Sequence, residues 1–506
     1  MKISVLSIQA IALGAVPLTN GLAIARAANV VDLKTVSYFS LPFALPPTGD
    51  LRWRAPVPIE KAPPTTELTD ATKAGNICVQ GGALFEQSAS IDPQTAAALN
   101  ITAPAEKPVE GEDCLRLDIT VPQKPKSRSL PVVVAIHGGG YSGGSSGGFP
   151  GQSFTQYTEG SVVFVSIQYR LGAYGFLGGS AIKKDGAPNA GILDQRSALE
   201  WVQRNIAAFG GDKEYPGIIP YKSDKSLEGQ FQELLSTSTC EDIACLRSLS
   251  FEALSNSTKQ VYKLGLANGH YGTQQPYFGP YVDGTAILGI PSKEFAKGAW
   301  SKVPLITTHG AFEGTIFTDS AVSSEDGVRN MLSLVLQIDK SNAFINDAIR
   351  KYPWIKFIGS YFDKPFFNSQ VYTLLSIVLK WSKLNTSFWQ AQTMAAAAAG
   401  VPSWKLYFQA SPYVHGASSF YSVGDSSASM NPTLANTIKD YIVSFVLELD
   451  PNVWKKSPQQ SKRPDWSRYT QASVLHIDDG SIKLKADPDA NDVCDFWFLR
   501  SDISRI

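Results

Sequence analysis

Val132-Val133-Val134-Ala135-Ile136-His137-Gly138-Gly139-Gly140-Tyr141 is an unbroken apolar run that stops at three consecutive glycines. Aliphatic residues with no polar alternation predict a strand covered on both faces, as in a parallel sheet flanked by helices. The glycines that follow let backbone N–H groups face a ligand with no Cβ in the way, which is how an oxyanion is held. A plain Gly-rich turn or a phosphate loop would use the same residues. Against nucleotide, the chain has no G-K-[ST] here and no GxGxxG that opens a helix.

Outward from this stretch the pattern repeats. Val162 to Ile167 is a second apolar run of the same kind. Leu115, Leu117, Ile119 and Val121 alternate with Arg116, Asp118 and Thr120, which predicts a strand buried on one face, antiparallel and near an edge. Ala198, Leu199, Val202, Ile206 and Phe209 share a helical face, and Gly210-Gly211 ends that helix. Leu434, Ile438, Tyr441, Ile442, Phe445 and Leu449 repeat the spacing, and Val303–Thr307 and Trp404–Phe408 read as further central strands. Strands alternating with amphipathic helices predict an α/β fold with its chemistry at the carboxyl ends of the strands.

The chain has 506 residues, with 45 Lys+Arg against 45 Asp+Glu. A net charge of zero gives no long-range attraction to nucleic acid or to anionic membrane, so neither is expected as a partner. Five scattered cysteines contain no C-x-x-C, so zinc-ribbon and thioredoxin chemistry have no support. Lys2, an apolar run from Ile3 to Leu18 and the Ala25-Arg26-Ala27 cleavage pattern predict a signal peptide over 1–27, and hence a secreted protein. The run is too short and too often interrupted to span a bilayer, and no later segment is a transmembrane candidate. N-x-S/T sequons at Asn100, Asn256 and Asn385 are candidate glycosylation sites on that route.

Taken together, several stretches identify the chain as similar to the type-B carboxylesterase/lipase family, the secreted α/β-hydrolases. They are Gly49-Asp50-Leu51-Arg52-Trp53, Glu112 to Asp118, the loop from His137, Asn189 to Gln195, and Trp201 to Ile206 running into Phe209-Gly210-Gly211-Asp212. The resemblance implies an α/β-hydrolase domain over 28–506 with a large, mostly parallel central sheet, acting on lipid or small carboxylic esters with no metal or cofactor. It places the triad acid at Glu313, in Glu313-Gly314-Thr315-Ile316-Phe317, the base at His415, and the oxyanion donors at Gly139 and Gly140. In such a triad the imidazole takes the nucleophile's proton and the carboxylate fixes its tautomer. His309, near Glu313 and at a strand terminus, suits a structural role or one of supporting a neighbouring catalytic group. The resemblance also pairs Cys78 with Cys114 and Cys240 with Cys245, leaves Cys494 without a visible partner, and makes the loop containing Leu84-Phe85 and Ala96–Leu99 a candidate lid.

The nucleophile is missing. After Asp212 the family proceeds through a strand, a G-x-S-x-G elbow and a helix, whereas this chain reads Lys213-Glu214-Tyr215-Pro216-Gly217-Ile218-Ile219-Pro220-Tyr221. G-x-S-x-G does occur, centred on Ser142, Ser145 and Ser146, but within the Gly-rich loop and not between a strand and a helix, the context that exposes a serine hydroxyl. Family register resumes at Glu228-Gly229-Gln230-Phe231-Gln232, so roughly 30 or more residues, one strand–helix–strand unit, are absent. The expectation is an active ester hydrolase whose sequence is incomplete here, with the chain as written inactive. The alternative is a non-catalytic binding or adhesion protein on the same scaffold.

Overall fold

The structure, a computed structural model, describes residues 25–27, 34–62, 69–81, 108–149, 151–209, 222–271, 276–311, 324–351, 392–411, 416–426, 431–454, 463–470 and 472–490, with a few isolated positions besides. Its strands are β1 (Ala25–Ala27), β2 (Thr35–Pro42), β3 (Thr69–Ala71), β4 (Arg116–Pro122), β5 (Val132–Ile136), β6 (Val163–Ile167), β7 (Leu305–Gly310), β8 (Ser403–Gln409), β9 (Ser473–Asp478) and β10 (Ser481–Ala486). Among the described residues they form two four-stranded sheets, β2-β4-β6-β5 and β7-β8-β9-β10, and a small pair, β1-β3. The single large sheet expected from sequence is thus in two parts, because no described strand joins the outer edge of β5 or of β7.

The apolar runs become strands as read, with one instructive difference. Val163 to Ile167 are all buried, while every residue of β5 is only half-buried. Both faces of β5 are nonetheless covered: Val132, Val134 and Ile136 pack into one cluster and Val133 and Ala135 into another. Its residual exposure comes from the edge, not from a face. The alternating run forms β4, antiparallel to both β2 and β6. The strand expected at Val303–Thr307 lies slightly later, at Leu305–Gly310, and pairs parallel with β8.

Helices cover these sheets where the apolar spacing predicts. Ala190–Asn205 continues into a 3₁₀ turn to Phe209 and packs Ala198, Trp201, Val202 and Ile206 against β4 and β6. The helix Pro432–Glu448 starts at Asn431, whose side chain caps the Leu434 N–H, with Pro432 in the first turn, where its missing N–H costs nothing. Its first half, Leu434, Ala435, Ile438 and Tyr441, packs on Trp404, Leu406 and Leu475 of β8 and β9. Its second half, Ile442, Val443 and Val446, packs on Phe154, Phe164, Val133 and Ala135. One helix therefore holds both sheets.

Candidate active site

The three glycines leave β5 as a tight turn that only a chain with small residues can follow. Gly139 and Gly140 have φ of 113° and 60°. The Gly139 carbonyl accepts from the N–H of Ser142 at 3.0 Å and of Gly143 at 3.1 Å, closing the turn. Gly139 is exposed and Gly140 half-buried, and among the described residues neither N–H donates to a backbone carbonyl. Two amides at the carboxyl end of a half-buried strand, held by their own turn, suit a developing negative charge.

What keeps this turn in place lies beneath it. His137 is 4% exposed, stacks on Tyr169 at 4.5 Å, donates from Nδ1 to the Gly138 carbonyl at 2.9 Å, and accepts the Tyr169 hydroxyl on its own carbonyl at 3.0 Å. Burial pushes the imidazole pKa down to about 4, so the ring is neutral. Gln80 grips the loop from the other side: its Oε1 accepts from the Gly144 N–H at 2.8 Å and its Nε2 donates to the Gly144 carbonyl at 3.1 Å. Gly81 N–H donates to the Ser142 carbonyl and Gly172 N–H to the Tyr141 carbonyl, at 2.6 and 2.7 Å. A Cβ on Gly144 would lie 2.4 Å from His137 Nδ1, so this glycine is required for close approach.

The serines of the false elbows have other duties. Ser142 is buried inside the turn, and Ser146 opens the 3₁₀ turn Ser146–Gly148 and bonds the Asp118 carboxyl. Burial raises the Asp118 pKa, and its bonds from Ser146 and the Ser40 N–H work against that rise. None of the three serines stands between a strand and a helix in a sharp turn.

Across the molecule, the next-to-last residue of β7 is His309, which is buried. Its Nε2 meets the Asp489 carboxylate and its Nδ1 lies 3.0 Å from the Gly310 carbonyl. Asp489 also accepts from Lys405 Nζ at 2.8 Å. The same ammonium bonds Asp487 at 2.8 and 3.0 Å, and Asp487 takes the Tyr469 hydroxyl at 2.6 Å. His309 is thereby tied into the cluster of Lys405, Asp487 and Asp489. Lys405, Asp487 and Asp489 escaped the sequence reading, since Lys405 sits within a run read as a plain apolar strand.

Much of the sequence that carried the family resemblance turns out to be scaffold. Arg52 and Glu112 form a buried bidentate pair at 2.7 Å, with Arg52 also donating to the carbonyls of Arg247 and Leu249. Arg170 and Asp194 form another, at 2.8 and 2.7 Å. Trp53 Nε1 donates to the Ala173 carbonyl at 2.9 Å, and the Asn189 amide bridges both backbone groups of Tyr281. The expected disulfides Cys78–Cys114 and Cys240–Cys245 are both formed. Asn256 is exposed on the helix Phe251–Ala267. Glu313, His415, Asn100, Asn385, Cys494, the candidate lid and the stretch Lys213–Tyr221 lie outside the described residues. No group of described residues is arranged to hold a metal, and no described helix is long and apolar enough to cross a membrane.

Comparison with known proteins follows the same lines. The carboxylesterase family profile matches residues 25–222 and 217–497. Secreted lipase 1 of Botryotinia fuckeliana is 30% identical over 87% of this chain and 85% of its own length. Lipase 2 of Geotrichum candidum is 28% identical over 90% of this chain and 91% of its own. The crystal structure of Aspergillus niger EstA superposes with a TM-score of 0.81 at 22% identity, covering 98% of this chain and 100% of that one. On the strength of the profile match along both halves, the chain belongs to the carboxylesterase family and has the α/β-hydrolase fold.

Proposed function

We propose that the complete protein is a secreted serine-type carboxylic ester hydrolase, a lipase or esterase, working through an acyl-enzyme. The observation that carries this reading is the Gly139–Gly140 turn at the carboxyl end of β5, clamped by Gln80 and His137, whose two glycine N–H groups donate to no described backbone carbonyl. In the reaction a serine, absent from the chain as written, attacks the ester carbonyl. His415 takes its proton and returns it to the leaving alcohol, Glu313 orients His415, and the Gly139 and Gly140 N–H groups receive the charge on the carbonyl oxygen. Substrates are lipid or small carboxylic esters, and no cofactor or metal enters. Export through a leader over 1–27, with glycans at Asn100, Asn256 and Asn385, completes the reading, supported by the secreted lipase among its relatives and by its disulfides.

The division of the profile match into two segments that overlap at 217–222 supports an absent segment between Asp212 and Glu228. Sequencing the transcript across the Asp212–Lys213 junction tests this directly, with extra in-frame codons for a strand and a G-x-S-x-G as the expected result. The purified 506-residue product is expected to resist covalent labelling by a fluorophosphonate, with ester turnover about 10⁶ below that of a complete enzyme. Labelling at an enzyme-like rate would sink the assignment of a missing nucleophile. A transcript that reads as written instead favours a non-catalytic binding protein on the same scaffold, the reading that the absence of a strand–elbow–helix supports.

A further inference from the structure

Two glycines from elsewhere in the chain hold the Gly139–Gly140 turn by successive carbonyls. Gly172 N–H donates to the Tyr141 carbonyl at 2.7 Å and Gly81 N–H to that of Ser142 at 2.6 Å. These two glycines also press against each other. A Cβ built on Gly81 would lie 3.2 Å from the Gly172 Cα, and one on Gly172 would lie 3.3 Å from the Gly81 Cα. Both would overlap a single atom, the hydroxyl oxygen of Tyr262. One phenol oxygen therefore fills the notch that two absent side chains leave, where the segments gripping the turn cross.

Tyr262 belongs to a third element, the helix Phe251–Ala267, and is 4% exposed. Its ring meets Phe278 and Tyr277 edge-on, with ring centres 5.4 and 6.3 Å away, and its carbonyl accepts the Tyr271 hydroxyl at 2.7 Å. Tyr277 and Phe278 follow Pro276, whose side chain would lie 3.7 Å from a Cβ on Gly140. The segment that packs on Tyr262 thus also backs the turn itself. In an interior packed this closely, removing one atom forfeits contacts on every side of it. Without the phenol oxygen, Gly81 and Gly172 lose the atom that spaces them, and the two bonds they make to the turn shift with them.

We propose that Tyr262 is a positioning residue for the Gly139 and Gly140 amides, acting through Gly81 and Gly172 and not by touching substrate. The proposal rests on the reading of that turn as the receiver of carbonyl charge in ester hydrolysis, and it deepens that reading. Gln80 and His137 fix the turn by hydrogen bonds, whereas Tyr262 sets the spacing of the two segments from which it hangs. A reacting group displaced by about 1 Å at such a site loses about 10²-fold in rate.

The test compares Tyr262→Phe with Tyr271→Phe in the full 506-residue protein, by hydrogen exchange read by mass spectrometry. Each variant loses one buried hydroxyl in the same region, but only the first removes the atom between the glycines. Expected for Tyr262→Phe is exchange about tenfold faster over Gly138–Gly144 and Arg170–Gly175, with Ser403–Gln409 unchanged. Tyr271→Phe is expected to leave Gly138–Gly144 as in the wild type. No change with Tyr262→Phe, equal loosening with Tyr271→Phe, or faster exchange throughout the protein would each overturn the proposal. In the complete protein carrying the absent segment, Tyr262→Phe is expected to lower kcat about tenfold or more with KM unchanged, the mark of an interaction made only in the transition state. Local loosening with kcat unmoved would overturn the turn as charge receiver, and absence of local loosening would overturn Tyr262 as its spacer, so the two readings fail separately.

Discussion

In the sheet β2-β4-β6-β5 the most deeply buried ion pairs, Arg52–Glu112 and Arg170–Asp194, stand beyond the strands, whereas in β7-β8-β9-β10 the lysine Lys405 lies inside a strand. In the first case each arginine fork meets one carboxylate in a bidentate contact; Arg52 also donates to the carbonyls of Arg247 and Leu249, and Arg170 to that of Arg54. In the second an ammonium serves as a point charge approached from several sides, by Asp487 and Asp489. The arginine pairs fix where individual loops begin. Lys405 binds a late segment of chain to the sheet, which is otherwise attached through β9 and β10.

If this contrast holds, removing the lysine is the more damaging change. Lys405→Met leaves two carboxylates buried beside each other with their cation gone, and a loss of about 5 kcal/mol is expected, read from urea unfolding. Arg170→Met strands a single carboxylate, and Asp194 still accepts the Arg170 backbone N–H at 3.0 Å, so about 3 kcal/mol is expected in the same measurement. Equal losses would break the comparison and mean that the number of stranded carboxylates does not matter here.

A smaller effect sharpens the first sheet's reliance on neutral groups near its strand ends. Because burial holds His137 at about 4, the unfolded chain takes up a proton there before the folded one does. The resulting stability is full above the unfolded value of about 6.5 and drains away as the pH falls toward about 4. Between about pH 6 and about pH 4.5 the loss attributable to His137 is about 2 kcal/mol, measured as the difference in slope between the wild type and His137→Asn. Identical slopes would overturn the assignment of a neutral buried ring.

The fold was legible wherever one side chain's environment repeats along the chain. Val132–Ile136 and Val163–Ile167 announced themselves as strands because each residue meets an apolar layer, and Ala190–Asn205 because its buried positions recur at helical spacing. Edge exposure was not legible: nothing in Val132–Ile136 distinguishes a central strand from one with no described partner on one side, since both faces look alike. The turn after β5 could be read because glycine is required at its positive φ values and close approaches. Its Gln80 clamp could not, being a contact 64 residues distant with no pattern of its own. Lys405 was hidden for a similar reason, since its partners lie 82 and 84 residues away and the residue type alone suggests a solvated position.

The helix Pro432–Glu448 has a further consequence, in time. The strands of the first sheet have all been made once Ile167 is synthesised, but the helix that ties this sheet to the second appears about 280 residues later. At ribosomal rates of roughly 5–20 residues per second, that interval is about 15–55 s. For all of it the apolar edge at Val132–Ile136 must wait beside the ribosome without its bridging helix, and a chaperone that shields this edge would act within that window.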